Sequence, residues 1–281
     1  MESVSLPRAA APMVTTSLKR GLRVVAKTVF TAADVFARRM PGPRLLIYHQ
    51  IEAGLGRQME VTETAFRQHL DWLAANGETV GLDRAVAERG RPGSDRHYVL
   101  TFDDGYRDMY DKAWPMLRDR AMPFVLYLTT HPTESGEPLT PGGRADPLTW
   151  KQVEEMLASG LMTLGAHTHR HRELGEMTVP MIEEEIGTSN ELITKRTGVR
   201  PIHFAYPWGY WSEAAHPVVA AEYETATLGS GAPITADRDP LKLNRVPVQL
   251  SDGVLFFRRK MATGLQPEDR LRRRLAHYDG P

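Results

Sequence analysis

His97-Tyr98-Val99-Leu100-Thr101-Phe102-Asp103-Asp104-Gly105-Tyr106 is the stretch on which the fold turns. His97–Phe102 reads as a β-strand, because aromatic, aliphatic and β-branched side chains fill it and neither Gly nor Pro interrupts. It delivers two adjacent carboxylates into a glycine turn. Asp-Asp-Gly alone is an ordinary turn. At the end of an apolar strand it means more, since burying neighbouring carboxylates is costly unless a cation or hydrogen-bond donors compensate. Further along, a second strand, Met162–Ala166, runs into His167-Thr168-His169-Arg170-His171. His167 and His171 stand four apart, a spacing suited to two ligands, whereas His169 faces elsewhere in either extended or helical geometry. Two imidazoles, one carboxylate ligand and a second carboxylate free to act as a base are the parts of a mononuclear hydrolytic metal site.

Outward from these two strands, strand and helix signals alternate. The other strand candidates are Leu45–Tyr48, Phe124–Leu128, Ile202–Ala205, Thr225–Leu228 and Lys242–Val246. A helix is expected from Thr64 to Asn76, stopped by Gly77. Another opens at a capping box of Thr149 and Gln152 and stops at Gly160, and a third runs from Pro180 to Thr197 and closes at Gly198. Thr130–Asp146 reads as a long Gly- and Pro-rich loop at the rim of a site. Alternating β and α over this length defines an α/β protein with a parallel sheet or barrel. In such folds ligand chemistry gathers at the carboxyl ends of strands. His49, Asp103 and Asp104, His167 and His171, Pro207-Trp208 and Arg245 all fall there.

The chain has 281 residues, ordinary apolar and charged fractions, and a net charge of zero. The charge is uneven: residues 1–44 carry eight basic against two acidic side chains, and 258–281 seven against three, so the middle is acidic. That balance argues against nucleic acid as the main partner and leaves an anionic surface such as a membrane leaflet open to the basic ends. With no cysteine, disulfides and thiolate ligands are excluded. No apolar run approaches the roughly 20 residues of a spanning helix. No clean signal peptide is read, so cytoplasmic residence, with peripheral contact at the inner membrane face, is the expectation. Thr16 to Met40 is patterned as a basic amphipathic helix, either packed on the domain or lying on a membrane. Pro41-Gly42-Pro43 ends it. The expected organisation is an extension over 1–42, a catalytic domain over 43–265 and a basic tail over 266–281. The runs Arg258-Arg259-Lys260 and Arg272-Arg273-Arg274 read as solvated faces. Trp208, Tyr210 and Trp211 fit a sugar-stacking role and a barrel cap equally.

Thr101–Tyr106 resembles the first motif of the polysaccharide deacetylase family, the carbohydrate esterases that share the chitooligosaccharide-deacetylase homology domain. His167–His171 resembles the second, His-Ser/Thr-x-x-His. Phe204-Ala205-Tyr206-Pro207-Trp208-Gly209 is similar to the third in its exopolysaccharide-deacetylase variant. The likeness spans about Pro43 to Gly264. It implies a distorted (β/α) barrel of seven strands and a divalent metal, usually zinc, with cobalt, nickel or manganese as substitutes. It also implies hydrolytic deacetylation of an N-acetylated sugar in a polysaccharide, oligosaccharide or lipid-linked saccharide. By the resemblance, Asp104, His167 and His171 would hold the metal, Asp103 would be the general base, and the Trp208 N–H would face the oxyanion.

Two departures stand out. Family members carry an Arg in the third motif that orients the base, where this chain has Phe204-Ala205, and Arg245 is the candidate replacement. The late Leu-x-His that protonates the leaving amine is missing. Leu46-Ile47-Tyr48-His49 instead resembles the permuted subgroup acting on poly-N-acetylglucosamine, which makes His49 the general acid. Two alternatives share these residues: hydrolysis of a non-sugar amide bond, and glycan binding at an idle site.

Overall fold

The computed structural model describes residues 40–139 and 145–263. The helix read over 16–40 therefore lies, but for Met40, outside the described residues. So do the tail 266–281 with Arg272-Arg273-Arg274, and part of the 130–146 loop. Seven parallel strands close into a barrel: β1 (Arg44–Tyr48), β2 (His97–Asp104), β3 (Phe124–Leu128), β4 (Met162–Ala166), β5 (His203–Ala205), β6 (Thr225–Gly229) and β7 (Leu243–Pro247). Each pairs with the next in order. Closure comes from β1, which pairs with β2 (Leu46 opposite Leu100) on one side and with β7 (Leu46 opposite Val246) on the other. The seam between β4 and β5 is thin, registered through Ala166 and Phe204 alone. A two-residue strand, Glu78–Thr79, adds to the amino end of β2, and Gln50–Ile51 pairs with Glu60–Val61 beside the rim.

Alternation along the strands makes two cores. Leu45, Val99, Val125, Tyr127, Ala205 and Leu243 pack together and fill the barrel. Leu46, Leu100, Phe102, Leu126 and Leu128 point the other way, onto a surrounding layer of helices. Those helices are α1 (Glu63–Asn76), α2 (Leu82–Glu88), α3 (Trp114–Asp119), α4 (Thr130–Ser135), α5 (Trp150–Ala158), α6 (Val179–Thr197), α7 (His216–Glu222) and α8 (Val254–Thr263). Both strand faces are covered, which is why the strands read as nearly continuous apolar runs. Each fully buried Leu or Phe contributes about 1.5–3 kcal/mol of transfer free energy.

Helix ends follow the local chemistry. Thr62 Oγ1 accepts from the Ala65 N–H at the start of α1, and Gly77 ends it where a Cβ would meet the Arg96 carbonyl oxygen at 2.1 Å. The Thr149–Gln152 capping box forms as read. Gly198 closes α6 with φ +73°.

Three readings need correction. The segment taken as a loop from Thr130 opens with six helical residues, α4. Arg245 sits at the middle of β7, not at a strand end. The Arg258-Arg259-Lys260 run is not uniformly solvated: α8 turns Lys260 inward with Phe257 and Met261. The Lys260 ammonium is buried, 2.7 Å from Asp252 Oδ2 and 2.9 Å from the Pro247 carbonyl oxygen. A buried carboxylate partner is what makes that burial tolerable.

Candidate active site

The carboxyl ends of the strands open into one cavity of about 540 Å³. His49, Asp103, Asp104, His167, His171, Trp208 and Arg245 all line it. The structure thus brings together these seven residues, from five separate strands or the turns that follow them, while Tyr210 and Trp211 do not line the cavity.

Adjacent side chains on a regular strand point to opposite faces. Asp103 obeys the pleat and points into the barrel beside Thr101. Asp104 would point outward, but its backbone has φ +75°, and its carboxylate swings to the rim. Six non-glycine residues among those described have positive φ, and four belong to this site: Asp104, Thr168, His171 and Trp208. Such backbone costs of order 1–3 kcal/mol per residue and concentrates where function requires it. Gly209 follows Trp208 at φ +73°, and a Cβ there would lie 2.6 Å from the Gly229 nitrogen. Close apposition of two glycines therefore sets the Trp208 turn.

The two carboxylates have different surroundings. Asp103 is gripped by Arg245, whose Nη1 lies 2.6 Å from Oδ1 and Nη2 2.8 Å from Oδ2. The guanidinium is fixed in turn by Thr101 Oγ1 at 3.0 Å and by the Tyr127 ring at 5.0 Å. Burial alone would raise the Asp103 carboxyl, but Arg245 and then His167 overcome it and hold the pKa at about 2. Asp104 lacks such a partner. Burial, reinforced by the Asp103 charge and opposed by His49, raises it to about 6.

Asp104 Oδ1 lies 3.5 Å from His167 Nε2 and 3.4 Å from His171 Nε2, and the two Nε2 atoms are 3.1 Å apart. Burial lowers the His167 pKa to about 3 and that of His171 to about 4, so both imidazoles are neutral. His167 Nδ1 meets the Ala205 carbonyl oxygen at 2.7 Å; its N–H donates there, which leaves Nε2 as a lone pair toward Asp104. Asp104 Oδ1 is buried with no hydrogen-bond partner. These three donor atoms fit a divalent cation. Ligands bonded at about 2.0–2.1 Å around a tetrahedral ion stand about 3.3 Å apart, close to the separations here. His169 turns away, with Nδ1 2.9 Å from Thr130 Oγ1.

His49 follows β1 directly, and its Nδ1 is buried without a partner. Trp208 is 62% exposed, its ring centroid 5.2 Å from that of His171, so it walls the mouth of the cavity rather than capping the barrel. Trp211 packs against the core with Lys242 over its ring. Sequence reading missed the supports. Thr101 and Tyr106 lie inside the quoted motif, and each touches a catalytic candidate, Arg245 and Asp104 respectively. Arg57 and Arg170 are also in the cavity wall. Arg170 lies inside the quoted His167–His171 motif but at a position the motif leaves open, and Arg57 stands on a turn with no motif to flag it.

The closed seven-stranded barrel thus carries a paired-carboxylate and two-histidine centre at its rim. Residues 90–225 match the family model "Polysaccharide deacetylase", so the chain carries a polysaccharide deacetylase domain over that segment. YxkH of Bacillus subtilis is 26% identical over 236 residues, covering 82% of this chain and 80% of that protein. The poly-beta-1,6-N-acetyl-D-glucosamine N-deacetylase of Escherichia coli K12 is 31% identical over 134 residues. That match takes in 43% of this chain and 20% of the relative's own length. Among solved structures, IcaB from Ammonifex degensii superposes with a TM-score of 0.69 at 22% identity, over 81% of this chain and 98% of that one. The Streptococcus pyogenes deacetylase PplD does so at 0.64 and 23%, over 83% and 98%. Both show the shared fold.

Proposed function

We propose that this chain removes acetyl groups from an N-acetylated sugar by cation-assisted hydrolysis, with the two adjacent carboxylates in separate roles. The division between them carries the reading: Arg245 holds Asp103 ionised, while Asp104 faces two neutral imidazoles across a gap suited to an ion. Asp104, His167 and His171 would hold the ion. Two nitrogen donors and one oxygen donor suit zinc, and cobalt, nickel or manganese are compatible. A divalent cation bound there supplies Lewis acidity, polarising an acetamide carbonyl and making a water more acidic.

The remaining roles belong to the chain itself. Arg245 uses one lone pair on each Asp103 oxygen and leaves the others facing the cavity, so the carboxylate accepts a proton as water attacks the acyl carbon. The same grip sets the carboxylate plane. The Trp208 backbone N–H donates to the oxygen on which charge develops. His49 delivers a proton to the departing amine, and with no partner fixed to its Nδ1 the ring keeps a free hydrogen-bonding atom for that exchange. The names of the Escherichia coli and staphylococcal relatives, poly-beta-1,6-N-acetyl-D-glucosamine N-deacetylases, support an N-acetylglucosamine-type sugar.

The test is acetate release from N-acetylglucosamine oligomers by protein stripped with a chelator and then given zinc or cobalt. Release that vanishes with the metal and returns with it supports the proposal. One tightly bound metal with no acetate from any acetamido sugar, but cleavage of another amide in a substrate panel, would replace it.

A further inference from the structure

The cavity wall holds more positive charge than hydrolysis of a neutral acetamide needs. Its ionisable lining includes Arg57, Arg170 and Arg245 against Asp103 and Asp104. Arg245 is spent on Asp103, and Asp104 faces the histidines. Arg57 and Arg170 remain. Among the described residues neither guanidinium lies in an ion pair, and Arg170 meets only the His131 imidazole, Nη1 to Nε2 at 3.3 Å.

Both arginines are presented by turns pinned from below by a buried glutamate. Glu60 accepts the backbone N–H groups of Gly54 (2.6 Å), Leu55 (3.0 Å) and Arg57 (3.3 Å). Glu185 Oε2 accepts those of His169 (3.1 Å) and Arg170 (2.7 Å). Each carboxylate is thus committed to shaping the backbone, and neither neutralises the arginine it presents. The two turns come from different parts of the barrel, one after β1 and one after β4. Their convergence on one cavity, with guanidinium groups in no ion pair among the described residues, makes an anion seat beside the acyl site.

We infer that the sugar this enzyme acts on carries an anionic substituent near its acetamido group, a phosphoester or a carboxylate, seated between Arg57 and Arg170. This rests on the deacetylase reading and narrows its substrate class. A polymer that becomes a polyamine as it loses acetyl groups would be repelled by this wall, increasingly with each turnover. An anionic saccharide is drawn in, and its charge offsets that of the new amine after hydrolysis.

Calorimetry on the full chain tests this, first chelator-treated so that no metal competes as the anion's seat, then zinc-loaded. The probes are N-acetylglucosamine, N-acetylglucosamine 1-phosphate, and a disaccharide of N-acetylglucosamine with glucuronate. One of the two anionic probes is expected to bind at least about tenfold tighter than the neutral sugar. Which one it is distinguishes a phosphate-linked from a uronate-containing substrate. The preference weakens with salt and disappears in the Arg57→Gln/Arg170→Gln double variant, while zinc content stays the same. Equal binding of neutral and anionic sugars, or a preference that survives both substitutions, overturns the inference. Acetate release separates the two claims. Efficient turnover of neutral oligomers without any anion preference leaves the deacetylase reading standing and removes the anion seat. An intact anion preference with no acetate from any probe does the reverse.

Discussion

Arg245 and Asp103, 142 residues apart in sequence, form a two-pronged ion pair inside the barrel, with contacts of 2.6 and 2.8 Å and almost no solvent exposure on either side. Breaking it from the arginine side leaves a buried, uncompensated carboxylate. Arg245→Met is expected to cost about 3–5 kcal/mol of stability, measured by urea unfolding. It also frees the Asp103 pKa to climb, since burial is the opposing influence. The acid limb of the rate–pH profile moves upward with it. A variant with wild-type stability and an unmoved acid limb would contradict the assignment.

The buried histidines set the pH dependence of folding. His69, His167 and His171 are held neutral by burial, at about 4, 3 and 4. A free imidazole titrates at about 6.5. Between about pH 4 and 6.5 the unfolded chain therefore binds more protons at these sites than the native one. Their contribution is complete above about 6.5 and is lost as pH falls. Asp104 runs the other way. Its folded value of about 6 lies above the ordinary carboxyl of about 4, so its contribution is lost as pH rises through 6. Asp108, raised by burial to about 7, acts in the same sense as Asp104. Three imidazoles with larger combined shifts outweigh these two carboxyls, so metal-free protein loses stability from pH 6.5 toward 4. Urea midpoints across that range check the slope. Asp104→Asn makes it steeper, and so does zinc, which competes with protons for the same atoms. A flat profile would contradict this.

His49→Ala is expected to lower turnover about 10²–10⁴-fold, the usual contribution of a positioned general acid. Zinc affinity should not change, because His49 is not among the three clustered donors. Turnover equal to wild type, measured by acetate release at saturating substrate, would make His49 a structural strand-end residue.

Much of this was legible in the sequence because several strands, Phe124–Leu128 above all, are short runs of apolar residues. Phe124–Leu128 and Met162–Ala166 stand where they were read, and so does the third helix, within one residue. What escaped depended on tertiary context. The β2 strand runs on through Asp103 and Asp104 because they pair with Tyr127 and Leu128, and propensity alone would stop it at Phe102. The turn that makes Asp104 a rim residue is a single positive φ at a non-glycine, which no residue type announces. Lys260 reads as a surface cation until the position of Asp252 is known. The turn bearing Arg170 is shaped by Glu185 from the following helix, which leaves no local pattern. The one bearing Arg57 is shaped by Glu60, three residues on, in a spacing that does not by itself announce a turn.

Asp103→Asn, assayed for bound zinc and for acetate release from N-acetylglucosamine oligomers and set beside Asp104→Asn, tests the central claim most directly. The account predicts that Asp103→Asn keeps one zinc per chain and loses turnover, and that Asp104→Asn loses the zinc itself. Wild-type acetate release from zinc-loaded Asp103→Asn would contradict it.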